Sequence, residues 1–429
     1  MNKKFSSILI GVLMLSIGIV SCNKDPKITI EDEGVPAKMT LSLEFSNQGT
    51  RATTDPNATE AEAEIKTVDV IVYNATTGTQ VITSLTATDF DDPTAGTDAD
   101  RYVGETDIQT TTGPKNVYVA INRPASITIA NVTEEQLAET VQNISADLVA
   151  NTTTGFVMFS TNTATINVTT GSDNKVTATV SRLASKVTVK KHSNYEVTFG
   201  GTITDLAFIT GNVNTKGFLL PDAAGKDPNY TAIQHQNAHF VTEDPTAFIA
   251  VNETAVTVKD LSPKYITENT SATDNKAKKG LTRVIIRVSY IPATILVGNS
   301  TDGFTEESVV AVTAQDFWTV IDGTTRYFFF DEGIADDYMN SKSIVDPTKK
   351  AKYTDGYAYY NMWLNPGNNW NVFRNTYLNC NIKRILALGN PNFDIDNEED
   401  EEPSITENME ITIDVLHWTL ASSDFELEP

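Results

Sequence analysis

Only two cysteines occur in 429 residues, Cys22 and Cys380. With Cys22 committed to export, as argued below, Cys380 stands alone and an intramolecular disulfide is excluded from the mature chain. Stability must then come from a buried core, which a chain of this length can supply. Basic residues are also few: 32 Lys and Arg face 56 Asp and Glu, for a formal net charge of −24 at pH 7. That balance argues against nucleic acid or an anionic membrane surface as a partner. Beyond the first twenty residues, no apolar stretch approaches the ~20 residues of a membrane-spanning helix. Stretches of 3.6-residue periodicity are scarce, and no repeat of solenoid or propeller length occurs. There is no G-x-S-x-G, H-E-x-x-H, phosphate loop or dinucleotide fingerprint. Nothing in the residues argues for an enzyme, and no cofactor is implied.

What is present is concentrated first at the N-terminus. Lys3 and Lys4 precede an apolar run from Phe5 to Val20, followed by Ser21 and Cys22. The run is about sixteen residues, too short to span a bilayer and suited to a secretory signal. Its ending, Ile19-Val20-Ser21-Cys22, has the bacterial lipobox pattern, in which the Cys thiol is acylated and becomes the new N-terminus. Lipid on Cys22 is then the expected membrane attachment. Val35 to Asn47 alternates like a strand: Met39, Leu41, Leu43 and Phe45 point one way, Thr40, Ser42, Glu44 and Ser46 the other. Gly49-Thr50-Arg51-Ala52 follows as a basic cleavage site, with the cut expected between Arg51 and Ala52. A strand shaped to fill one face of a sheet, followed at once by a place to remove it, describes a protein held inactive and then opened.

The remainder reads as an all-β secreted protein, rich in Thr, Val, Ile and Asn. Its length favours two domains, and two β-sandwiches are the economical architecture. Expected strands in the first half are Thr67–Tyr73, Asn116–Ile121, Phe156–Ser160, Ala164–Val168 and Lys175–Val180. Thr133–Asp147 is the best helix, with Thr133 as cap, Gln136 three residues on, and Leu137, Val141 and Ile144 on one face. Alternation resumes over Val180–Lys190, and the domain boundary is placed near residue 182. The expected organisation is a signal peptide over 1–21, a propeptide with a removable strand over 22–51, an N-terminal sandwich over 52–182 and a C-terminal sandwich over 183–429. Strands expected in the second half are Tyr195–Phe199, Ile203–Ile209, Arg283–Tyr290, Val309–Thr313, Tyr327–Phe330 and Tyr359–Leu364. Last comes Met409–Leu420, where Ile411, Ile413 and Val415 share one face while Leu416, Trp418 and Leu420 follow the other parity. Either a bulge near Val415-Leu416 switches faces or the strand packs on both sides.

Several constellations were weighed for chemistry. His235 and His239 have the spacing of a helical zinc pair, but they sit in a polar insert without helical pattern, so a surface loop is expected and no metal. Asp394, Asp396, Glu398 and Asp400 alternate like calcium ligands, but lack the turn glycine and terminal Glu of a calcium loop, and read as a solvated loop. Tyr353, Tyr357, Tyr359, Tyr360, Trp363, Trp370 and Phe373 are either a stacking platform for sugars or, in part, core. Cys380 alternates with Leu378 and Ile382 and reads as a small buried core residue.

Taken together, these segments resemble the fimbrillins of Bacteroides-group bacteria, the FimA/Mfa-type subunits of type V pili. The resemblance lies in the Cys22 lipobox, the removable strand, the Arg51-Ala52 junction, Thr67-Val-Asp-Val-Ile-Val-Tyr-Asn74 as a first mature strand, and Val180–Lys186 as the opening of a second domain. Phe373-Arg-Asn-Thr-Tyr377 resembles a strand start of that family, and Trp418 falls where the family has a tryptophan in its final strand. The resemblance implies two transthyretin-like sandwiches and export to the outer membrane as a lipoprotein. It implies an arginine-specific protease as partner, and polymerisation with copies of itself and related pilins into a cell-surface fimbrium. A neighbour's C-terminal strand would fill the groove left by the removed strand, with Ile411, Ile413, Val415, Leu416, Trp418 and Leu420 as candidate donor residues. An accessory or tip pilin that adheres to a host or bacterial surface ligand is the alternative. A glycan-binding surface lipoprotein that keeps residues 22–51 as a tether is another.

Overall fold

The computed structural model describes residues 34–46, 59–91, 101–171, 173–221, 226–228, 240–241, 243–253, 260–271, 277–310, 313–393 and 409–418. Cys22, Arg51, Ala52, Leu420, His235, His239 and the acidic block 394–402 lie outside them. The fold is all-β, as the composition leads one to expect, with a few short helices.

In the first sheet the strand order runs Gln80–Thr86, Thr67–Asn74, Gly113–Ile121, Met158–Ser160, Lys175–Arg182, Pro36–Phe45 and Arg101–Gly104, ending at Phe90–Asp91. Thr67–Asn74 forms because it is a run of β-branched and aromatic residues, and every residue from Val68 to Asn74 is buried. One core joins residues from the whole sheet, including Met39, Leu43, Val70, Val119, Phe159 and Val180.

The chain then changes sheets. Lys175–Arg182 ends in the first, and after Leu183 the strand Ala184–Val197 begins in another. That second sheet has the order Lys264–Thr267, Ala184–Val197, Thr376–Ile385, Met409–His417. A third has the order Ile249–Ala250, Thr202–Gly211, Arg283–Ile291, Tyr357–Trp363. Val187, Val189, Leu378, Cys380 and Ile382 from one meet Leu206, Phe208, Val284, Ile286 and Tyr360 from the other in a single core, so these two sheets form a β-sandwich.

Three sequence expectations are corrected. The helix over 133–147 is broken: Glu134–Glu139 is helical, capped by Thr133 with the reciprocal Gln136 contact, and the chain leaves the helix at Thr140. Val141 is 47% exposed while Ile144 is buried. Gln142–Asn143 pairs instead with Lys216–Gly217, and a Cβ on Gly217 would lie 1.9 Å from the Ile144 side chain, so glycine there is what seats Ile144. A second helix, Ala146–Val149, follows. Tertiary packing has overridden the local helical pattern.

The second correction concerns Val309–Thr313, where Val309 and Val310 are not in a strand and 311–312 lie outside the described residues. The region from Thr294 to Tyr353 instead forms a small unit of its own. It holds a hairpin, Thr294–Asn299 with Gly303–Ser308, a three-stranded sheet built on Phe317–Asp322, and the helix Glu332–Ser341. Leu296, Val320, Phe329, Ala335, Tyr338 and Met339 form its core. Third, the register of Met409–His417 is regular at Val415-Leu416, and the irregularity lies opposite Glu410, between Ile382 and Arg384. Neither expected arrangement is found within the strand: no bulge lies at Val415-Leu416, and Leu416 on the second face is 37% exposed.

Candidate functional site

Two terminal strands and the place where they approach each other make up the site. The N-terminal strand Pro36–Phe45 lies inside its sheet, parallel to Lys175–Arg182 with Leu43 beside Ala178 and Phe45 beside Val180. On its other side it runs antiparallel to Arg101–Gly104 and then to Ile108–Thr111. Met39, Leu41, Leu43 and Phe45 are all buried, and the residues between them are partly exposed, which is the alternation read from the sequence. The Phe45 and Tyr102 rings meet edge-on at 5.7 Å. A Cβ on Gly104 would stand 2.5 Å from the Leu41 carbonyl, so glycine lets the neighbouring strand close on this one. At the strand's ends, Asn174 Nδ2 donates to the Lys38 carbonyl at 2.8 Å and the Ser46 amide donates to the Val180 carbonyl at 2.8 Å.

The C-terminal strand Met409–His417 is placed differently. Among the described residues it is the edge of its sheet, bonded to Thr376–Ile385 alone. Met409, Ile411 and Ile413 pack toward the second core, and Leu416 is 37% exposed on the opposite face. The side chain of Val415 is not described.

Trp418, just past the strand, leaves this sandwich and enters the first core, where it is 1% exposed. Its indole stacks on Tyr265 at 5.8 Å with an interplanar angle of 11°, and meets Phe156 edge-on at 5.6 Å. Its Nε1 donates to Glu62 Oε2 at 3.2 Å. Glu62 is on the short helix Glu60–Ala63 and is fully buried. Its carboxylate also accepts from Tyr265 at 2.7 Å and from the Thr59 amide at 2.7 Å, and pairs with Lys186 Nζ at 2.9 Å.

Arg182 closes the cluster. Its Nε donates to the Glu62 carbonyl at 2.9 Å, and its Nη1 donates to the Trp418 carbonyl at 2.9 Å and to Asn375 Oδ1 at 3.2 Å. The guanidinium lies 4.5 Å from the centre of the Trp418 ring. Burial pulls the Arg182 pKa down to about 10, with Glu62 opposing. Burial also lowers Lys186, again against Glu62, and raises the Tyr265 phenol, here reinforced by Glu62.

The other weighed residues fall mainly into structure. Tyr353, Tyr360, Trp363 and Trp370 are buried core, which removes them from a sugar platform. Tyr357 and Tyr359 remain partly exposed, the first beneath the Arg287 guanidinium at 4.3 Å. Cys380 is buried, and desolvation raises its thiol pKa. Among the described residues no three His, Cys, Asp or Glu side chains are gathered as metal ligands. Sequence reasoning missed the whole Glu62, Arg182, Lys186 and Tyr265 constellation. Its local trace is a pair of cations, Arg182 and Lys186, in an otherwise uncharged stretch from Val180 to Val189.

Two family models match the chain. That of the major fimbrial subunit protein FimA matches residues 37–217, and that of the fimbrillin C-terminal region of type IV major fimbrial subunits matches 351–424. No curated protein sequence matches it. Among solved structures, a fimbrillin FimA of Porphyromonas gingivalis W83 is similar with a TM-score of 0.51 and 13% identity, covering 90% of this chain and 99% of that one. A candidate cell adhesion protein of Parabacteroides distasonis ATCC 8503 also has a TM-score of 0.51, with 12% identity over 90% of this chain and 100% of the other. These likenesses concern the fold. With one family model beginning in the N-terminal strand and the other reaching through the C-terminal strand, the chain belongs to the fimbrillins, the fimbrial subunit proteins of Bacteroides-group bacteria.

Proposed function

We propose that this fimbrial subunit is a structural pilin that polymerises by strand exchange after proteolysis. In this reading it is exported as a lipoprotein through Cys22 and anchored in the outer membrane. An arginine-specific protease then cuts between Arg51 and Ala52. The N-terminal strand leaves, and the C-terminal strand of a neighbouring copy takes its place.

The observation that carries this reading is the position of Pro36–Phe45. It is an interior strand, bonded on both sides, yet it sits at the end of the chain ahead of the Arg51 junction. Its loss would open an apolar groove flanked by two unpaired strand edges, and such edges template another strand. Burial of Met39, Leu41, Leu43 and Phe45 contributes about 1.5–3 kcal/mol each, an upper figure of about 6–12 kcal/mol together. An occupant must match that. Ile411 and Ile413 lie in a segment already in strand conformation at a sheet edge, where departure breaks one ladder and not two, and Trp418 follows directly. Head-to-tail contacts of this kind extend into fibres and do not close.

The test is the mature N-terminus of surface material together with the Arg51→Ala variant. The expected results are a start at Ala52 and an unpolymerised, lipid-anchored Arg51→Ala subunit. A start at Cys22 would favour a tethered binding lipoprotein instead, and normal filaments from Arg51→Ala would overturn the reading.

A further inference from the structure

Trp418 and its buried partners tie the two terminal strands to each other. Arg182 and Lys186 are both buried cations, and Glu62 is the carboxylate that faces them among the described residues. Glu62 pairs directly with Lys186. Among the described residues, the hydrogen-bond acceptors of the Arg182 guanidinium are neutral: the carbonyls of Glu62 and Trp418 and the Asn375 side chain. Its Nη2 is buried with no hydrogen-bond partner among the described residues. A buried guanidinium in this state is costly and depends on every remaining acceptor.

Each terminal strand reaches the surroundings of that cation, the C-terminal one directly and the N-terminal one through Val180 and Asn375. From the C-terminal side come the Trp418 carbonyl and the indole beneath the guanidinium. From the N-terminal side, Phe45 lies beside Val180, two residues from Arg182, and the Ser46 amide is bonded to Val180. Ser46 also reaches the cluster through Asn375, whose Nδ2 stands 3.4 Å from both its carbonyl and its hydroxyl while the Asn375 Oδ1 accepts from Arg182. Departure of either strand admits water to Arg182. With the N-terminal strand gone, hydration replaces the acceptor that Trp418 supplies, so the second departure costs less than it would alone. The coupling has the same magnitude in both directions, as linkage requires.

We propose that Trp418, Arg182, Glu62 and Asn375 form an autoinhibitory latch: the N-terminal strand, while in place, holds the C-terminal strand on its own subunit. The inference rests on the reading of the two terminal strands given above, and adds how removal of one readies the other. A subunit that still carries its N-terminal strand thus has neither a free groove nor a loose donor.

The test uses the full-length, uncut chain and hydrogen exchange at both strands. Leu43→Ala, which loosens the N-terminal strand, is expected to speed amide exchange in Met409–Trp418 by about fivefold or more. Trp418→Phe, which removes the indole donor to Glu62, is expected to speed exchange in Met39–Ser46 by a similar factor. In an Arg182→Met background both effects should shrink below about twofold, because the shared cation is gone. Asn375→Gly is the second variant, for use if Arg182→Met does not fold; glycine accepts the φ of 54° found there, and the change cuts the bridge from Ser46 to Arg182. Unchanged exchange in either strand on loosening the other, or coupling that persists in these backgrounds, overturns the latch. A mature start at Cys22 overturns strand exchange and leaves this measurement standing, because the measurement involves no cut.

Discussion

Leu43→Ala discriminates a removable strand from an ordinary core strand. Leu43 is fully buried, beside Ala178 on one neighbour and Tyr102 on the other, and belongs to the first core. Truncating such a leucine costs about 2–5 kcal/mol, the transfer term plus the cavity left behind. Bonded strands on both sides limit collapse of the cavity, which places the expected loss in the upper half of that range. Ser42→Ala is the parity control: its side chain faces the other way and is only partly buried, so a change within about ±0.5 kcal/mol is expected. Urea unfolding of the uncut chain, followed by circular dichroism, measures both. In the proposed scheme, Leu43→Ala and wild-type subunits are chemically identical once the cut strand has been removed from solution, so filament yield at equilibrium is then the same. Only the approach differs. A hold weakened by about 4 kcal/mol and expressed in the dissociation rate frees the strand roughly a thousandfold faster. Equal urea midpoints, damage from Ser42→Ala as large as from Leu43→Ala, or different final filament yields would refute the reasoning.

The Cys380 thiol, buried and raised in pKa by desolvation, should resist a thiol reagent in the native protein and react when urea unfolds it; rapid native labelling counts against its place in the core. Alkali should destabilise the fold. Burial pushes the phenols of Tyr195, Tyr290 and Tyr353 up to about 12, against 10.0 in the unfolded chain. Their contribution to stability is fully present below pH 10.0 and is lost as pH rises toward 12. Lys186, lowered by burial from 10.5, acts in the opposite sense below that pH and is one group against several. Melting temperature should therefore fall as pH rises through this window, with tyrosinate absorbance appearing at unfolding; a flat profile contradicts the burial of these phenols.

The parts of the fold that were legible in the sequence are those decided by local alternation. Met39 to Phe45 could be read because a half-buried strand writes its pleat into every second residue, and Ala164–Val168 for a similar reason. The change of sheet after Arg182 falls within Val180–Lys190, the segment where alternation resumes in the sequence. The helix over 133–147 failed because its end is set by Gly217, more than seventy residues downstream, and not by its own residues. The unit over 294–353 did carry a signal. Asp331 caps Ile334, and Ile334, Ala335, Tyr338 and Met339 follow at helical spacing. The buried charges carried little beyond the nearness of Arg182 to Lys186. Arg182 meets Glu62 across 120 residues of sequence and Trp418 across 236, and no window of sequence contains them together.

The two terminal strands are unequal in a way that bears on assembly. Pro36–Phe45 is interior, so removing it breaks two ladders and exposes four buried apolar side chains. Met409–His417 is an edge strand with Ile411 and Ile413 only partly buried and Leu416 exposed. On backbone and packing alone, the edge strand is the more weakly held of the two. A donor that loose on an uncut subunit would be free to pair with any open groove before its own was available. Trp418 offsets that weakness at a single residue, by inserting the far end of the edge strand into the other core against Arg182, Glu62 and Tyr265. Under the proposed latch, the strength of the C-terminal strand's attachment is thereby placed where the N-terminal strand's departure would reach it, and not along the strand itself, where it would not.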